Sequence, residues 1–210
     1  IFSINIASTQ ILLDWSRRIK IKHFIYASSG NVYGQNPKPL DEHSECLPTD
    51  YYGKSKYIAE TLVSAYSSFF NTTILRIFGV YGPGQSAMII PNLIDRVINR
   101  QEITLADGKG LIFTPLFITD CIRMLKTIIS KSSKSDIYNL SGNEVITLGE
   151  IVSMISKITL IEACIKITTG KPVCFIGVSK KFIDKFSYQF TMPFNHGLEL
   201  TIKHKIEQTA

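Results

Sequence analysis

The chain has 210 residues, of which 45% are hydrophobic, and this is enough to bury a sizeable core as one domain with or without a small lobe. Its net charge of +6 is spread along the sequence without a concentrated basic tract, which argues against nucleic-acid binding. No apolar run approaches the roughly 18 residues of a membrane span, and the four cysteines form no C-x-x-C pair, so we expect a cytoplasmic protein with reduced thiols, no metal site and no membrane partner.

Helix and strand patterns alternate through the first part of the chain. Apolar residues recur at helical spacing over residues 5–20, and an apolar, aromatic strand pattern follows over residues 23–29 and stops at Gly30. The same order repeats with a helix over residues 51–70 and a strand over residues 72–78. Strand, helix and strand without a hairpin signal predict the crossover unit of a parallel sheet.

The alternation continues to the end of the chain. Further helices are predicted over residues 91–100, 120–130 and 147–158, and further strands over residues 101–106, 116–119 and 136–141. Thr147 and Glu150 match the capping-box pattern at the start of the last of these helices. The β-branched run over residues 159–169 fits either a helix or a strand. The whole pattern indicates an α/β fold.

Three polar residues are placed for chemistry at one edge of this predicted sheet. Tyr52 and Lys56 are four residues apart on a predicted helix, so their side chains share one face. Ser29 ends the preceding apolar strand, at the carboxyl edge where parallel sheets bind ligands. A close ammonium favours the ionised form of a phenol, so this Ser/Tyr/Lys trio suits proton transfer beside a hydride carrier. An ordinary helix tyrosine and a serine that caps a strand end fit the same residues.

Several short motifs occur in order between residues 5 and 201. They are Asn5-Ile6, residues 24–34 with the pattern Ser-Ser-x-x-Val-Tyr-Gly, residues 48–60, residues 75–84, residues 115–120 and Tyr138-Asn139-Leu140-Ser141. Together they resemble the extended short-chain dehydrogenase/reductase superfamily, and within it the NAD-dependent epimerase/dehydratase family, which works mainly on nucleotide sugars. Residues 197–199 resemble the late helix of that family.

The resemblance implies a role for each matching residue. Tyr52 matches the catalytic acid/base, Lys56 the lysine that binds the nicotinamide ribose and favours the tyrosinate, and Ser29 the residue that hydrogen-bonds the reacting hydroxyl. Cofactor contacts are implied for Asn5, Ser28, Tyr52 and Lys56. Substrate contacts are implied for Asn31, Gly79 and Tyr81. Asn5 suits a helix N-cap equally well.

The same resemblance implies the architecture and the partners. We expect an incomplete Rossmann-type, doubly wound parallel sheet with a smaller C-terminal substrate lobe. Residues 1–81 would form the C-terminal half of the cofactor domain, with residues 111–142 returning to it, and residues 82–110 and 143–210 would form the substrate lobe. The implied cofactor is NAD or NADP, the implied substrate is a nucleotide sugar, and a homodimer is one possible assembly.

Three departures from the family pattern bear on the substrate and the reaction. Gly79 stands where these families usually carry an asparagine that binds the substrate diphosphate. Residues 111–115 lack an arginine that these families often carry there. Gly30-Asn31 replaces the Asp-Glu pair of the 4,6-dehydratases. Because β-elimination needs that additional acid and base, the replacement argues against dehydration.

The glycine-rich turn that normally holds the cofactor diphosphate is absent from this sequence. The motif at Gly79, Gly82 and Gly84 does not replace it, because it follows a later strand and contains Tyr81 and Pro83. We therefore expect a fragment that lacks about 80 residues, since one βαβ unit takes about 30 or more, and we expect this polypeptide to bind NAD poorly.

Three functions remain open from the sequence. The leading hypothesis is an NAD(P)-dependent nucleotide-sugar epimerase, in which the cofactor supplies redox chemistry and the protein supplies placement. A ketone reductase that uses the same trio once per turnover is the nearest alternative, and net cofactor consumption would distinguish it. A non-catalytic, truncated remnant is the third, and the missing glycine turn favours it.

Overall fold

Helices and strands alternate along the chain in a computed structural model that describes residues 1–131 and 134–209. The strands are β1 (His23–Ser29), β2 (Asn71–Ile77), β3 (Val80–Tyr81), β4 (Ile103–Ala106), β5 (Leu111–Phe113), β6 (Leu116–Phe117), β7 (Asp136–Leu140), β8 (Ile146–Thr147), β9 (Ile165–Thr168) and β10 (Val173–Phe175). The helices are α1 (Ser8–Arg18), α2 (Tyr51–Ala65), α3 (Ile89–Ile98), α4 (Ile118–Lys131), α5 (Leu148–Thr159), α6 (Lys180–Phe186) and α7 (Phe194–Thr209).

The first sheet is parallel and carries helices on both faces. Its strands lie in the order β1-β2-β7, with Leu75 of β2 aligned between Ala27 and Tyr138. On one face, residues of α1 and α2 pack in one apolar cluster, and on the other face α4 and α6 contribute to a second cluster. The middle strand is buried along most of its length, as expected for a parallel strand covered on both sides. This confirms the predicted α/β, doubly wound sheet.

Short strand pairs organise the remaining residues. The structure pairs β5 with both β8 and β10, β4 with β9, and β3 with β6. A third apolar cluster joins α3, α5 and α7 around Ile94, Ile151 and Leu198. Residues 111–113 therefore pair with strands from the predicted substrate lobe, whereas residues 136–140 join the first sheet. The division into two lobes stays a prediction.

Long elements match the sequence pattern closely, whereas most of the short strands were missed. The strand predicted over residues 116–119 is only β6, because residues 118–119 already belong to α4. The strand predicted over residues 23–29 is β1, and the helix predicted over residues 51–70 ends at Ala65, before a 3-10 turn. The ambiguous run over residues 159–169 contains strand β9. The capping box is confirmed, because Thr147 Oγ1 accepts from Glu150 N at 3.1 Å and Glu150 Oε2 accepts from Thr147 N at 2.8 Å. Strands of two or three residues are too short to show a period.

The first predicted helix forms, but its apolar stripe faces outward. A five-residue π-helical segment, Ser3–Ala7, leads into α1. Four large apolar side chains on one face of this helix and its C-cap residue are between 50% and 68% exposed: Ile11, Leu12, Trp15 and Ile19. The fully buried residue of α1 is Leu13, on another face. The spacing thus identified the helix correctly without indicating which face packs on the sheet.

Candidate active site

The start of α2 lies against the carboxyl end of β1. Lys56 Nζ donates a hydrogen bond to the carbonyl oxygen of Ala27 at 2.9 Å. The same ammonium lies 5.8 Å from the ring centroid of Tyr52 and 5.0 Å from that of Tyr26. The helical spacing of four residues therefore brings Tyr52 and Lys56 together at the strand end, where the sequence predicts them.

Tyr52 is accessible at this position. Its side chain is 40% exposed, and its hydroxyl forms no hydrogen bond to the residues that the structure describes. A phenol without a protein partner can accept or donate a proton to a bound group. The predicted acid/base role needs this property.

Lys56 is half buried between α2 and β1. Burial lowers the pKa of this lysine, because water no longer stabilises the ammonium fully. The hydrogen bond to Ala27 fixes the ammonium beside the strand. An ammonium held in this way can act on Tyr52 and on a ligand hydroxyl without a large loss of side-chain entropy on binding.

Ser29 is buried at the end of β1 and starts a 3-10 turn. Its Oγ accepts a hydrogen bond from Asn31 N at 3.2 Å and donates to Asn31 Oδ1 at 3.4 Å. Within residues 1–131 and 134–209, no hydrogen bond joins Ser29 to Tyr52. Ser29 therefore serves as the cap that the ordinary interpretation allows, and its role toward a reacting hydroxyl stays a prediction.

Asn5 lies in the π-helical segment and contacts α2. Its Nδ2 donates to Ser55 Oγ at 2.9 Å, and Ser55 Oγ donates to the carbonyl oxygen of Tyr52 at 2.8 Å. Single π-helical turns occur frequently at functional sites. Here the turn lets Asn5 brace the helix that carries Tyr52, whereas its contact with a cofactor stays a prediction.

Ser28 is directed away from the surface into a buried network. Its Oγ donates to Glu60 Oε1 at 2.5 Å, and Glu60 also binds Arg76, with Nη2 to Oε2 at 2.8 Å. The implied cofactor contact of Ser28 stays a prediction. Sequence reasoning missed Glu60, although Lys56 and Glu60 are four residues apart and that spacing indicates a shared helix face.

A cavity of about 270 Å³ opens between the start of α2 and the short strands of the second half. Its polar wall includes Asn31 and Asp50, and Asp50 caps α2 by accepting from Gly53 N at 2.7 Å. Its apolar wall includes Leu111 and Phe175. None of the described residues that line it is Lys or Arg. Asn31 was predicted to contact substrate, whereas the apolar wall was not foreseen.

Gly79 directly precedes strand β3, and Tyr81 is the last residue of that strand. Gly79 adopts φ of +37°, and a Cβ added there would lie 3.1 Å from the Phe113 ring. Tyr81 is buried, which raises the pKa of its phenol, and its hydroxyl donates to the carbonyl oxygen of Phe194 at 3.2 Å. The substrate contacts predicted for both residues stay predictions.

The described part of the chain holds neither a metal centre nor a membrane-spanning helix. It contains no group of three His, Cys, Asp or Glu side chains arranged to hold a metal ion. No helix in residues 1–131 or 134–209 combines the length and apolar character that a membrane crossing requires.

Comparison with known proteins relates this arrangement to one family. The NAD dependent epimerase/dehydratase family profile matches residues 1–141. An uncharacterized UDP-glucose epimerase of Bacillus subtilis is 31% identical over 161 residues, which are 74% of this chain and 50% of that protein. Human dTDP-D-glucose 4,6-dehydratase is 32% identical over 145 residues, which are 67% of this chain and 41% of that enzyme. The chain thus spans about half or less of the length of these two relatives.

Solved structures show the same relationship. UDP-glucuronic acid 4-epimerase from Bacillus cereus, in complex with UDP-glucuronic acid and NAD, matches with a TM-score of 0.88 and 29% identity. The match covers 98% of this chain and 68% of that one. A dTDP-glucose 4,6-dehydratase from Bacillus anthracis has the same TM-score at 22% identity, which supports the fold alone.

Proposed function

This chain belongs to the NAD-dependent epimerase/dehydratase family, and on that premise we propose that the protein is an NAD(P)-dependent nucleotide-sugar epimerase. The observation that carries the proposal is the position of Lys56, whose ammonium is held by Ala27 within 5.8 Å of the Tyr52 ring centroid. The unpaired, accessible hydroxyl of Tyr52 is then available to a sugar hydroxyl.

In this proposal the Ser/Tyr/Lys trio exchanges the proton with the sugar hydroxyl and positions that hydroxyl. Tyr52 takes the proton of the sugar hydroxyl as the carbon is oxidised to a ketone, and it returns the proton when the ketone is reduced from the other face. Lys56 favours the phenolate by its positive charge. Ser29 exchanges its bond with Asn31 for one to the reacting oxygen.

The donors at this edge suit a nicotinamide ribose, because Lys56 and Tyr52 offer neighbouring polar hydrogens. NAD or NADP, when bound, supplies the acceptor for the hydride that leaves the sugar carbon and is later returned. Lys56, Tyr52, Asn5 and Ser28 are the residues proposed to hold it. Lys56 already faces the strand end, whereas Ser28 would need to exchange its bond with Glu60.

Packing around Gly30 supports epimerisation over dehydration. A Cβ added to Gly30 would lie 2.6 Å from the Phe78 ring and 2.8 Å from the Phe175 ring. An aspartate at this position would therefore displace both rings. A dehydratase needs an additional acid and base for elimination, and we propose that this site provides no room for the acid.

A ketone reductase is the second candidate, and the composition of the cavity that Asn31 and Asp50 line favours it. The described residues that line the cavity include no Lys or Arg to pair with a substrate diphosphate. An uncharged ketone would enter this space without such a partner.

Incubation of the full-length gene product with UDP-glucose and catalytic NAD distinguishes the candidates. An epimerase is expected to convert UDP-glucose to its epimer, detected by proton NMR of the sugar, without net formation of NADH. A reductase is expected to leave UDP-glucose unchanged and to consume NADPH or NADH in proportion to an added ketone. Absence of NAD binding and of both reactions would support the non-catalytic remnant and refute both enzyme proposals.

We also propose that the protein forms a homodimer through the outward face of α1. The exposed stripe there, which contains Leu12 and Trp15, is the kind of apolar patch that marks an interaction surface. Light scattering is expected to give a molar mass twice that of the monomer. The Trp15→Lys variant is expected to have the mass of one monomer. A monomeric native protein at micromolar concentration would contradict this assembly.

A further inference from the structure

A buried network of polar side chains lies behind the Ser/Tyr/Lys trio. Ser28 Oγ donates to Glu60 Oε1 at 2.5 Å, and Arg76 Nη2 donates to Glu60 Oε2 at 2.8 Å. Arg76 Nη1 donates to Tyr33 OH at 2.9 Å, and Tyr33 OH donates to Asn139 Oδ1 at 2.8 Å. None of these five residues is more than 5% exposed. Ion pairs this deeply buried are costly to break.

One end of the buried network fixes α2 to β1 next to the trio. Glu60 follows Lys56 by one helical turn, so both side chains point from α2 toward β1. Lys56 binds the carbonyl oxygen of Ala27, and Glu60 binds the hydroxyl of Ser28, the next residue. Two successive residues of β1 are thus attached to two successive turns of α2. This double attachment sets the distance and angle between helix and strand.

The other end of the buried network fixes the segment that follows the strand. Arg76 lies on β2 directly opposite Ser28 in the sheet register. Its guanidinium lies 4.8 Å from the ring centroid of Tyr33 and donates to the Tyr33 hydroxyl. Tyr33 ends the 3-10 turn that Ser29 caps. Ser29 is therefore held on both sides, by its neighbour Ser28 and by Tyr33.

Arg76 and Tyr33 keep their protons in the buried network. Burial by itself would lower the pKa of Arg76, but the hydrogen bonds and charge of Glu60 outweigh it and raise the pKa, so the guanidinium stays charged. Burial raises the pKa of Tyr33 to about 12, so its hydroxyl keeps its proton for Asn139. A buried ion pair seldom stabilises a fold more than apolar side chains of similar size would. The ion pair instead fixes the directions of its hydrogen bonds, and apolar side chains could not do this.

We propose that Glu60 and Arg76 are positioning residues that hold Lys56 and Ser29 in the arrangement that Tyr52 needs for proton transfer. The inference rests on the proposed function. It assigns Glu60 and Arg76 no contact with substrate or cofactor. They act through Ala27, Ser28 and Tyr33 on the geometry of the trio.

The double variant Glu60→Leu/Arg76→Met tests the proposal, because it removes both charges together and leaves neither unpaired. We expect the melting temperature to change little, kcat to fall by about 100-fold, and KM to stay within about threefold, since misplacement of about 1 Å can cost that factor in rate. An unchanged kcat in the folded variant would overturn the proposal.

Two further variants cover a failure to fold and provide a control. Tyr33→Phe removes the hydroxyl that accepts from Arg76 Nη1 and keeps the ion pair, and we expect a smaller loss of kcat with KM unchanged. Asp136→Asn/Lys181→Met removes another ion pair, with an N···O distance of 2.5 Å, on the part of β7 remote from the trio. The control is expected to lower stability without lowering kcat. Equal loss of kcat in the control would contradict a positioning role.

A measurement without turnover separates this inference from the proposed function. In nitrogen-15 NMR of the lysine ammonium groups, assigned with Lys56→Arg, native Lys56 is expected to titrate at lower pH than the exposed lysines, because burial lowers its pKa. In the double variant it is expected to titrate with the exposed lysines. If the native protein turns over no sugar, the proposed function fails and this titration still decides the positioning role. An unchanged Lys56 titration in the variant would overturn it.

Discussion

Tyr52→Phe is expected to lower turnover by at least about 10³-fold, because it removes the group that exchanges a proton with the sugar hydroxyl. General acid–base catalysis by one positioned side chain typically contributes 10²–10⁴-fold. Phenylalanine keeps the ring that Lys56 faces at 5.8 Å, so the packing of α2 is retained. Binding of NAD and the melting temperature are expected to change little, which separates loss of chemistry from loss of fold.

Tyr57→Phe is a closely matched control for this substitution. Tyr57 lies on the same helix and is 40% exposed, as Tyr52 is. The control is expected to retain nearly all turnover, since Lys56 faces Tyr52 and Ala27. Turnover by Tyr52→Phe above a tenth of the native value would remove Tyr52 from the acid/base role. The catalytic roles proposed for Ser29 and Lys56, which depend on Tyr52, would then be withdrawn.

The local part of the candidate site could be predicted from the sequence. Tyr52 and Lys56 share a face because they are four residues apart on one helix. Ser29 could be placed because the carboxyl ends of parallel strands meet at one edge. Both inferences use short-range geometry. The structure brings Tyr52 and Lys56 to the end of β1, as predicted, while Ser29 binds Asn31.

The rest of the site depends on contacts between distant parts of the chain. Leu111 and Phe175 reach the cavity because β5 pairs with β10, and strands of three residues carry no readable period. Prediction of the Glu60–Arg76 pair requires the knowledge that α2 packs across β2. A charged residue in an apolar strand pattern signals burial with a partner, but it does not identify that partner.

The fold shows the same limit. Residues 5–20 predict a helix by their spacing, yet the apolar stripe that reveals it contains Ile11 and Trp15, which lie on the exposed face. Apolar residues at helical spacing indicate a helix. Which face of that helix is buried depends on the elements that pack against it. The sequence pattern therefore predicts the helix but not which face of α1 packs against the sheet.

Asp120→Ala is expected to lower the free energy of unfolding by about 3–5 kcal/mol, because it leaves several buried donors without an acceptor and each such donor costs about 1–3 kcal/mol. From the sequence, Asp120 could be a helix start favoured by the dipole. In the structure its carboxylate is 1% exposed and joins α4 to the segment before α7. It accepts from Tyr188 OH at 2.8 Å, from Thr191 N at 3.2 Å and from Met192 N at 3.1 Å.

Urea unfolding measures this effect as a lower midpoint at constant m-value. Asp120→Asn, which keeps the volume and loses the charge, is expected to fall between the native protein and the alanine variant. Asp184→Ala breaks an exposed pair with Lys180 and should cost much less, because water screens surface ion pairs. If Asp120→Ala lost less than about 1 kcal/mol, the value of one ordinary hydrogen bond, the carboxylate would be only a helix start. The segment before α7 would then owe its position to apolar packing of side chains such as Tyr188.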